Sequence, residues 1–259
     1  MKHSVIAVFL LALLSACVAV ANGQTEKPWG TGKVTIEKVV DLGVDAGPAR
    51  LSPDGSRVLF VERGENRTYS YCTIGADGKN KAKVFACAWK KGYPFTLVFG
   101  SGIWSPDGKQ FIALTADEQE GEKPRMAICD AATGRETLLP VQKDTSLGAL
   151  FGNDGAVYYV DHVPPEKEDY RCLRRYDPKT EKAEDVWKCA DGIILRITMS
   201  PDRSRIGTVI VRPKPGGKGG EPQMRLWAYD LASKKTDEIT DEWLTATIAR
   251  VSKLYAPAT

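Results

Sequence analysis

Histidine is almost missing from this chain: there are two in 259 residues, His3 and His162. His3 lies in an apolar leader, so a histidine-based metal centre or a Ser/His/Asp set would have to rest on His162. No Gly-x-Ser-x-Gly elbow occurs, which removes the usual nucleophile of an α/β serine hydrolase. After residue 21 no apolar run is long enough to span a bilayer as a helix. Charge of one sign is not in excess either, with 36 Lys and Arg against 33 Asp and Glu. No basic run is interleaved with stacking aromatics, which argues against nucleic acid as a partner. What remains is an ordinary globular balance, 42% hydrophobic.

The first residues read as a targeting segment. Lys2 precedes a uniformly apolar stretch, Val5 to Leu14, followed by small residues. That is the pattern of a secretory signal peptide, too short for a membrane span. Ala19-Val20-Ala21 offers a cleavage site, giving a signal peptide over 1–21. Leu14-Ser15-Ala16-Cys17 also resembles a bacterial lipoprotein box, which would end the signal at 16 and make Cys17 the lipidated N-terminus. Both readings stay open, and both predict an exported protein, periplasmic or held at the cell envelope. Residues 22–32 are polar and read as a flexible tether, and 33–259 as one domain.

That domain is repetitive. Leu51-Ser52-Pro53-Asp54-Gly55 returns as Trp104-Ser105-Pro106-Asp107-Gly108, as Phe151-Gly152-Asn153-Asp154-Gly155 and as Met199-Ser200-Pro201-Asp202-Arg203. The four aspartates are 53, 47 and 48 residues apart in turn. Ser-Pro-Asp-Gly is turn chemistry: proline presets φ, aspartate bonds locally and glycine accepts positive φ. Arg203 stands at the glycine position and predicts a strained turn. An apolar strand follows each turn: Val58–Val61, Phe111–Leu114, Val157–Val160 and Ile206–Val211. A second hairpin follows each of these, such as Arg125–Cys129 with Glu136–Leu139, or Met224–Asp230 with Asp237–Thr240. Four strands at this period describe an all-β propeller with four recognisable four-stranded blades. Two strand-like pieces are left over, Val34–Val40 and Leu244–Val251. They fit a partial fifth blade, and the alternatives are an open ring, a dimer through exposed edges or a truncated chain.

Trp104-Ser105-Pro106-Asp107-Gly108 with its apolar strand resembles the repeat units of TolB-like, WD-repeat-like β-propellers. Leu226-Trp227-Ala228-Tyr229-Asp230 leading to Glu238-Ile239-Thr240 resembles them too. The repeats are also similar to the propellers of prolyl-oligopeptidase-type peptidases. The resemblance covers about residues 45–240 and implies fold rather than activity, because many activities use such propellers. Members of that family usually close six blades, and four complete ones are countable here.

Two cysteine pairs flank predicted hairpin turns almost symmetrically, Cys72 with Cys87 and Cys172 with Cys189, and are candidate disulfides in an exported chain. Unpaired buried thiols are the alternative. Cys129 has no counterpart and no visible base beside it. The repeated aspartates read as turn residues, and Gly216–Gly220 as a loop without the ending of a phosphate-binding one.

In a propeller, the connections between second and third strands share one face with those between blades. Trp89, Tyr93 and Phe95 fall in such a connection and are candidate partner-binding residues, with packing between blades as the alternative. The sequence therefore predicts a noncatalytic exported binding module or envelope scaffold whose partner is a protein or peptide, with no cofactor. A membrane would be reached only through a lipid on Cys17. The alternatives are a propeller enzyme, a lyase or glycan-active protein with its site in the central funnel, and a fragment of a larger peptidase-type propeller.

Overall fold

The computed structural model describes residues 49–64, 68–88, 102–116, 124–141, 148–162, 171–189, 192–212 and 223–239. The leader, Cys17, the tether, Val34–Val40, Leu244–Val251 and the trio Trp89, Tyr93 and Phe95 lie outside the described residues. Within them all regular structure is strand, fifteen strands in four antiparallel sheets.

The sheets follow the chain as successive blades. Blade 1 orders β1 (Ala49–Leu51), β2 (Arg57–Arg63), β3 (Thr68–Gly75) and β4 (Ala82–Ala88). Blade 2 holds β5 (Gln110–Ala116), β6 (Pro124–Asp130) and β7 (Glu136–Leu138). Blade 3 holds β8 (Ala149–Phe151), β9 (Val157–His162), β10 (Arg171–Asp177) and β11 (Lys182–Lys188). Blade 4 holds β12 (Ile193–Met199), β13 (Arg205–Arg212), β14 (Gln223–Asp230) and β15 (Thr236–Ile239). Each is a simple meander, so the propeller architecture read from the repeat is the observed one.

Blade 2 departs from four full strands. Its innermost segment pairs only as a bridge between Trp104 and Phe111. The backbone explains the loss. Gly102, at φ +89, turns its carbonyl away from its own sheet and accepts the N–H of Phe151 in blade 3 at 2.7 Å. The segment joins two blades rather than running along one.

Alternation sends one face of each strand to the next blade. Leu59, Val61 and Tyr71 of blade 1, Phe111, Ala113 and Ile128 of blade 2, and Phe151 and Tyr159 of blade 3 form one buried cluster. Leu150, Tyr158 and Val160 on the other face of blade 3 join Ile206, Ile210 and Tyr229 of blade 4 in a second. The Leu114 N–H donates to the Tyr71 hydroxyl at 2.9 Å, a polar link across the first of these contacts.

The strand registers correct the cysteine pairing. Cys87 lies opposite Tyr69, whereas Cys72 lies opposite Lys83 beyond a shift in register. Cys172 lies opposite Lys188, which puts it one residue out of step with Cys189. One residue is enough to separate two side chains onto opposite faces. Cys72, Cys129, Cys172 and Cys189 are buried free thiols.

Candidate functional site

The turns joining first to second strands are built alike. In blade 1 the Ser52 hydroxyl donates to Asp54 at 2.6 Å and accepts the Arg57 N–H at 2.9 Å. Ser105 repeats this with Asp107 at 2.7 Å and the Gln110 N–H at 2.9 Å. Ser200 repeats it with Asp202 at 2.6 Å and the Arg205 N–H at 2.9 Å. These bonds fill the carboxylate oxygens locally, and Ser52 foremost pushes Asp54 from 3.8 down to about 2. The aspartates thus serve their own turns.

Blade 3 has no serine here; its aspartate still accepts the Ala156 N–H of its own turn at 3.1 Å, and its other oxygen reaches outward. Asp154 accepts Arg175 from β10 at 2.9 and 3.1 Å. A side chain on Gly152 would meet Tyr158 at 2.8 Å, so a serine there would force the tyrosine aside.

The inner segments of blades 2, 3 and 4 meet at Gly102. A Cβ on Gly102 would lie 3.1 Å from Leu150 and 3.3 Å from Met199, which brings blades 2, 3 and 4 together at one point. The Trp104 indole donates to the Arg50 carbonyl at 3.3 Å, and the Arg203 guanidinium donates to the Trp104 carbonyl at 3.2 Å. Burial lowers the pKa of both arginines. Blades 2, 3 and 4 thus meet through packed apolar groups, and an arginine of blade 4 is hydrogen-bonded to main chain of blade 2.

Among the described residues, a cluster of charges stands on blade 3, toward the ends of β9 and β10 that lead into residues 163–170. Asp161, 0% exposed, accepts Arg174 at 3.0 Å. Arg174 Nε also lies 3.0 Å from Asp185, close enough for an ion pair but not aligned as a hydrogen bond. Lys188 completes the row 3.0 Å from Asp185 and holds that carboxylate below its ordinary value. Burial pushes the neighbouring Tyr159 phenol up to about 12 and the Cys172 thiol up to about 11. The Tyr159 hydroxyl is buried without a hydrogen-bond partner. Both groups stay protonated at neutral pH. Cys72 on blade 1 is likewise raised to about 11, by burial and then by Glu62. Among the described residues no group of three or more His, Cys, Asp or Glu is placed to hold a metal.

Asp161 and Arg174 were not among the residues singled out from sequence. Asp161 breaks the apolar run Val157–Val160, and that is the only local sign of it. Its partner is thirteen positions away on the paired strand.

No family model matches the chain, and no curated protein is similar to it. Solved structures do match in fold. TolB from Acinetobacter baumannii superposes with a TM-score of 0.50 at 16% identity, covering 74% of this chain and 43% of that one. The β-propeller domain of the Trilobed protease from Pyrococcus furiosus, described as having an open velcro topology, gives 0.51 at 19%, covering 76% and 59%. An oligogalacturonate lyase in complex with manganese gives 0.50 at 15%, covering 74% and 52%. The chain thus spans about half the length of these structures. At such identities the likeness is one of fold, a TolB-like β-propeller, shared by proteins that are enzymes and proteins that are not.

Proposed function

We propose that this protein is an exported β-propeller binding module that captures a protein or peptide of the cell envelope on the face opposite its Ser-Pro-Asp turns. One observation carries the reading. The turns at one end of every blade are short and closed by their own hydrogen bonds, Ser52 to Asp54 being typical. The strand ends at the other side lead into the longer stretches 117–123, 163–170 and 213–222, and into 89–101 between blades. Loops carried on a rigid scaffold are the usual seat of binding. Trp89, Tyr93 and Phe95 belong to the stretch between blades 1 and 2, and large aromatics anchor interfaces. Export rests on the leader, with maturation after Ala21 or lipidation at Cys17, and intact mass of the mature protein tells these apart.

The test immobilises the mature protein, passes envelope extract over it and compares Trp89→Ala and Tyr93→Ala with the wild type. Captured protein is then purified and titrated. A loss above about 1 kcal/mol, roughly fivefold in affinity, with unchanged melting is the expected result. Equal affinity for all three proteins returns the aromatics to packing between blades. Turnover of a glycan or peptide that disappears on replacing His162 or a funnel carboxylate replaces the binding reading with the enzyme one.

A further inference from the structure

Among the described residues, three buried side-chain polar atoms make no hydrogen bond: the Tyr159 hydroxyl, Arg174 Nε and Trp227 Nε1. Buried polar atoms are ordinarily hydrogen-bonded, so each exception needs a physical reason. Trp227 stands apart on blade 4, with its ring against Trp187. The other two belong together. Tyr159 on β9 is directly opposite Arg174 on β10. Opposed side chains leave a sheet on the same face, with Cβ atoms about 5 Å apart. That face of blade 3 turns to blade 2, because Tyr159 packs in the cluster shared with Phe111 and Ile128.

The surroundings limit what can satisfy both atoms. Asp161 follows Tyr159 at the next same-face position of β9, and its carboxylate accepts Arg174 Nη1 at 3.0 Å. Asp185 is opposite Arg174 on β11 and lies 3.0 Å from Nε without the alignment of a hydrogen bond. Lys188 pairs with Asp185 in turn. Two carboxylates thus face two cations, and the row has no net charge to hold an ion. An anion would meet Asp161 and Asp185, and a cation would meet the guanidinium. What needs a partner is one N–H that can only donate and one hydroxyl that can donate or accept. Tyr159 is 0% exposed, so its hydroxyl is cut off from bulk solvent.

We propose that Tyr159 and Arg174 form an internal hydration site, in which one water accepts the Arg174 Nε–H, shares a hydrogen bond with the Tyr159 hydroxyl and turns a remaining proton to a neighbouring carboxylate. About three polar partners is what an internal water ordinarily has. A neutral molecule that both donates and accepts fits this set, where an ion of either sign does not. The bridge lets one guanidinium serve two carboxylates and a phenol, with Nη1 kept on Asp161 and Nε satisfied without turning to Asp185. It also joins β9 to β10 through side chains, close to where both strands lead into residues 163–170.

The test pairs a crystal structure of the mature protein, at a resolution that shows ordered solvent, with urea melts of the wild type and Tyr159→Phe. The expected structure has one solvent peak within about 3.2 Å of both the Tyr159 hydroxyl oxygen and Arg174 Nε. The expected melt has a lower urea midpoint for Tyr159→Phe at an unchanged slope, because the substitution takes a partner from the water. Removing a buried hydroxyl that bonds to nothing would instead leave the midpoint in place or raise it, and that result overturns the proposal. So does a Tyr159 hydroxyl bonded directly to a protein atom with no solvent peak beside it. A peak whose short contacts identify a metal ion overturns it as well.

Discussion

The guanidinium of Arg203 donates to the main-chain carbonyl of Trp104 at 3.2 Å, ninety-nine residues earlier. It does so from a backbone at φ +56, where glycine stands in the equivalent turns of the other blades. Strain at one position is thus offset by a tether between blades 4 and 2. Arg203→Ala keeps the strain and removes the tether, so it costs about 1 kcal/mol. Arg203→Gly removes both and stays within about 0.5 kcal/mol of the wild type. Urea melts of the two variants compare them directly, and equal losses in both would mean that the positive φ carries no strain.

Acid should loosen the turns together. Ser52, Ser105 and Ser200 lower the pKa of Asp54, Asp107 and Asp202, and main-chain N–H groups do the same for Asp130 and Asp230. A carboxylate depressed in the fold binds its proton first in the unfolded chain. Its contribution is therefore complete above the unfolded value of 3.8 and is lost as pH falls toward the folded one, about 2 for Asp54. The melting temperature should drop between about pH 4 and 2. Ser105→Ala, which takes the hydroxyl partner from the part-buried Gln110 N–H, should lower stability at pH 6 by about 1 kcal/mol and make the acid drop shallower. A flat profile across that window would show that these bonds do not discriminate folded from unfolded chain.

The turns were legible because their chemistry is local. Serine, proline, aspartate and glycine at fixed offsets dictate one geometry wherever they fall, and the strand after each turn begins within a residue or so of where its apolar run starts: Val58 in β2, Phe111 in β5, Ile206 in β13. What failed was anything that depends on register. Shifts at Tyr71/Cys72 and at Leu173/Arg174 move one strand past its partner, and a count of residues about a turn does not reveal them. The Asp161–Arg174 pair was invisible for a related reason. Each residue is unremarkable on its own strand, and only the pairing of β9 with β10 brings them together.

That pair gives the third prediction. Asp161 is fully buried, so its charge depends on Arg174 far more than a surface carboxylate would. Arg174→Met removes the charge partner of a buried carboxylate, which keeps its other contacts, and should cost up to about 3–5 kcal/mol. Asp161→Asn leaves a neutral group and a partly exposed arginine, 19% accessible, that still has Asp185, so its cost should be clearly smaller. Denaturant titration of both variants checks the order, and an Asp161→Asn loss as large as that of Arg174→Met would mean that Asp161 is held mainly by other bonds.

Two glycines in the left-handed region separate backbone strain from close approach. Gly155 in blade 3 has φ +76 and open space around a would-be Cβ, whereas Gly134 in blade 2 has φ +72 and faces Val84 of blade 1. A Cβ on Gly134 would lie 2.2 Å from the Val84 carbonyl oxygen, inside any permitted contact, and the obstacle is main chain. Gly155→Ala therefore meets only the conformational penalty, about 1–2 kcal/mol. Gly134→Ala meets the same penalty and must also push β4 away from the turn after β6, adding about 1–3 kcal/mol of overpacking. The added loss should appear in the contact between blades 1 and 2, so amide exchange should quicken along β3 and β4 while β13 and β14 stay protected. Equal melting temperatures for the two variants would show that the outer turn of blade 2 does not rest against blade 1.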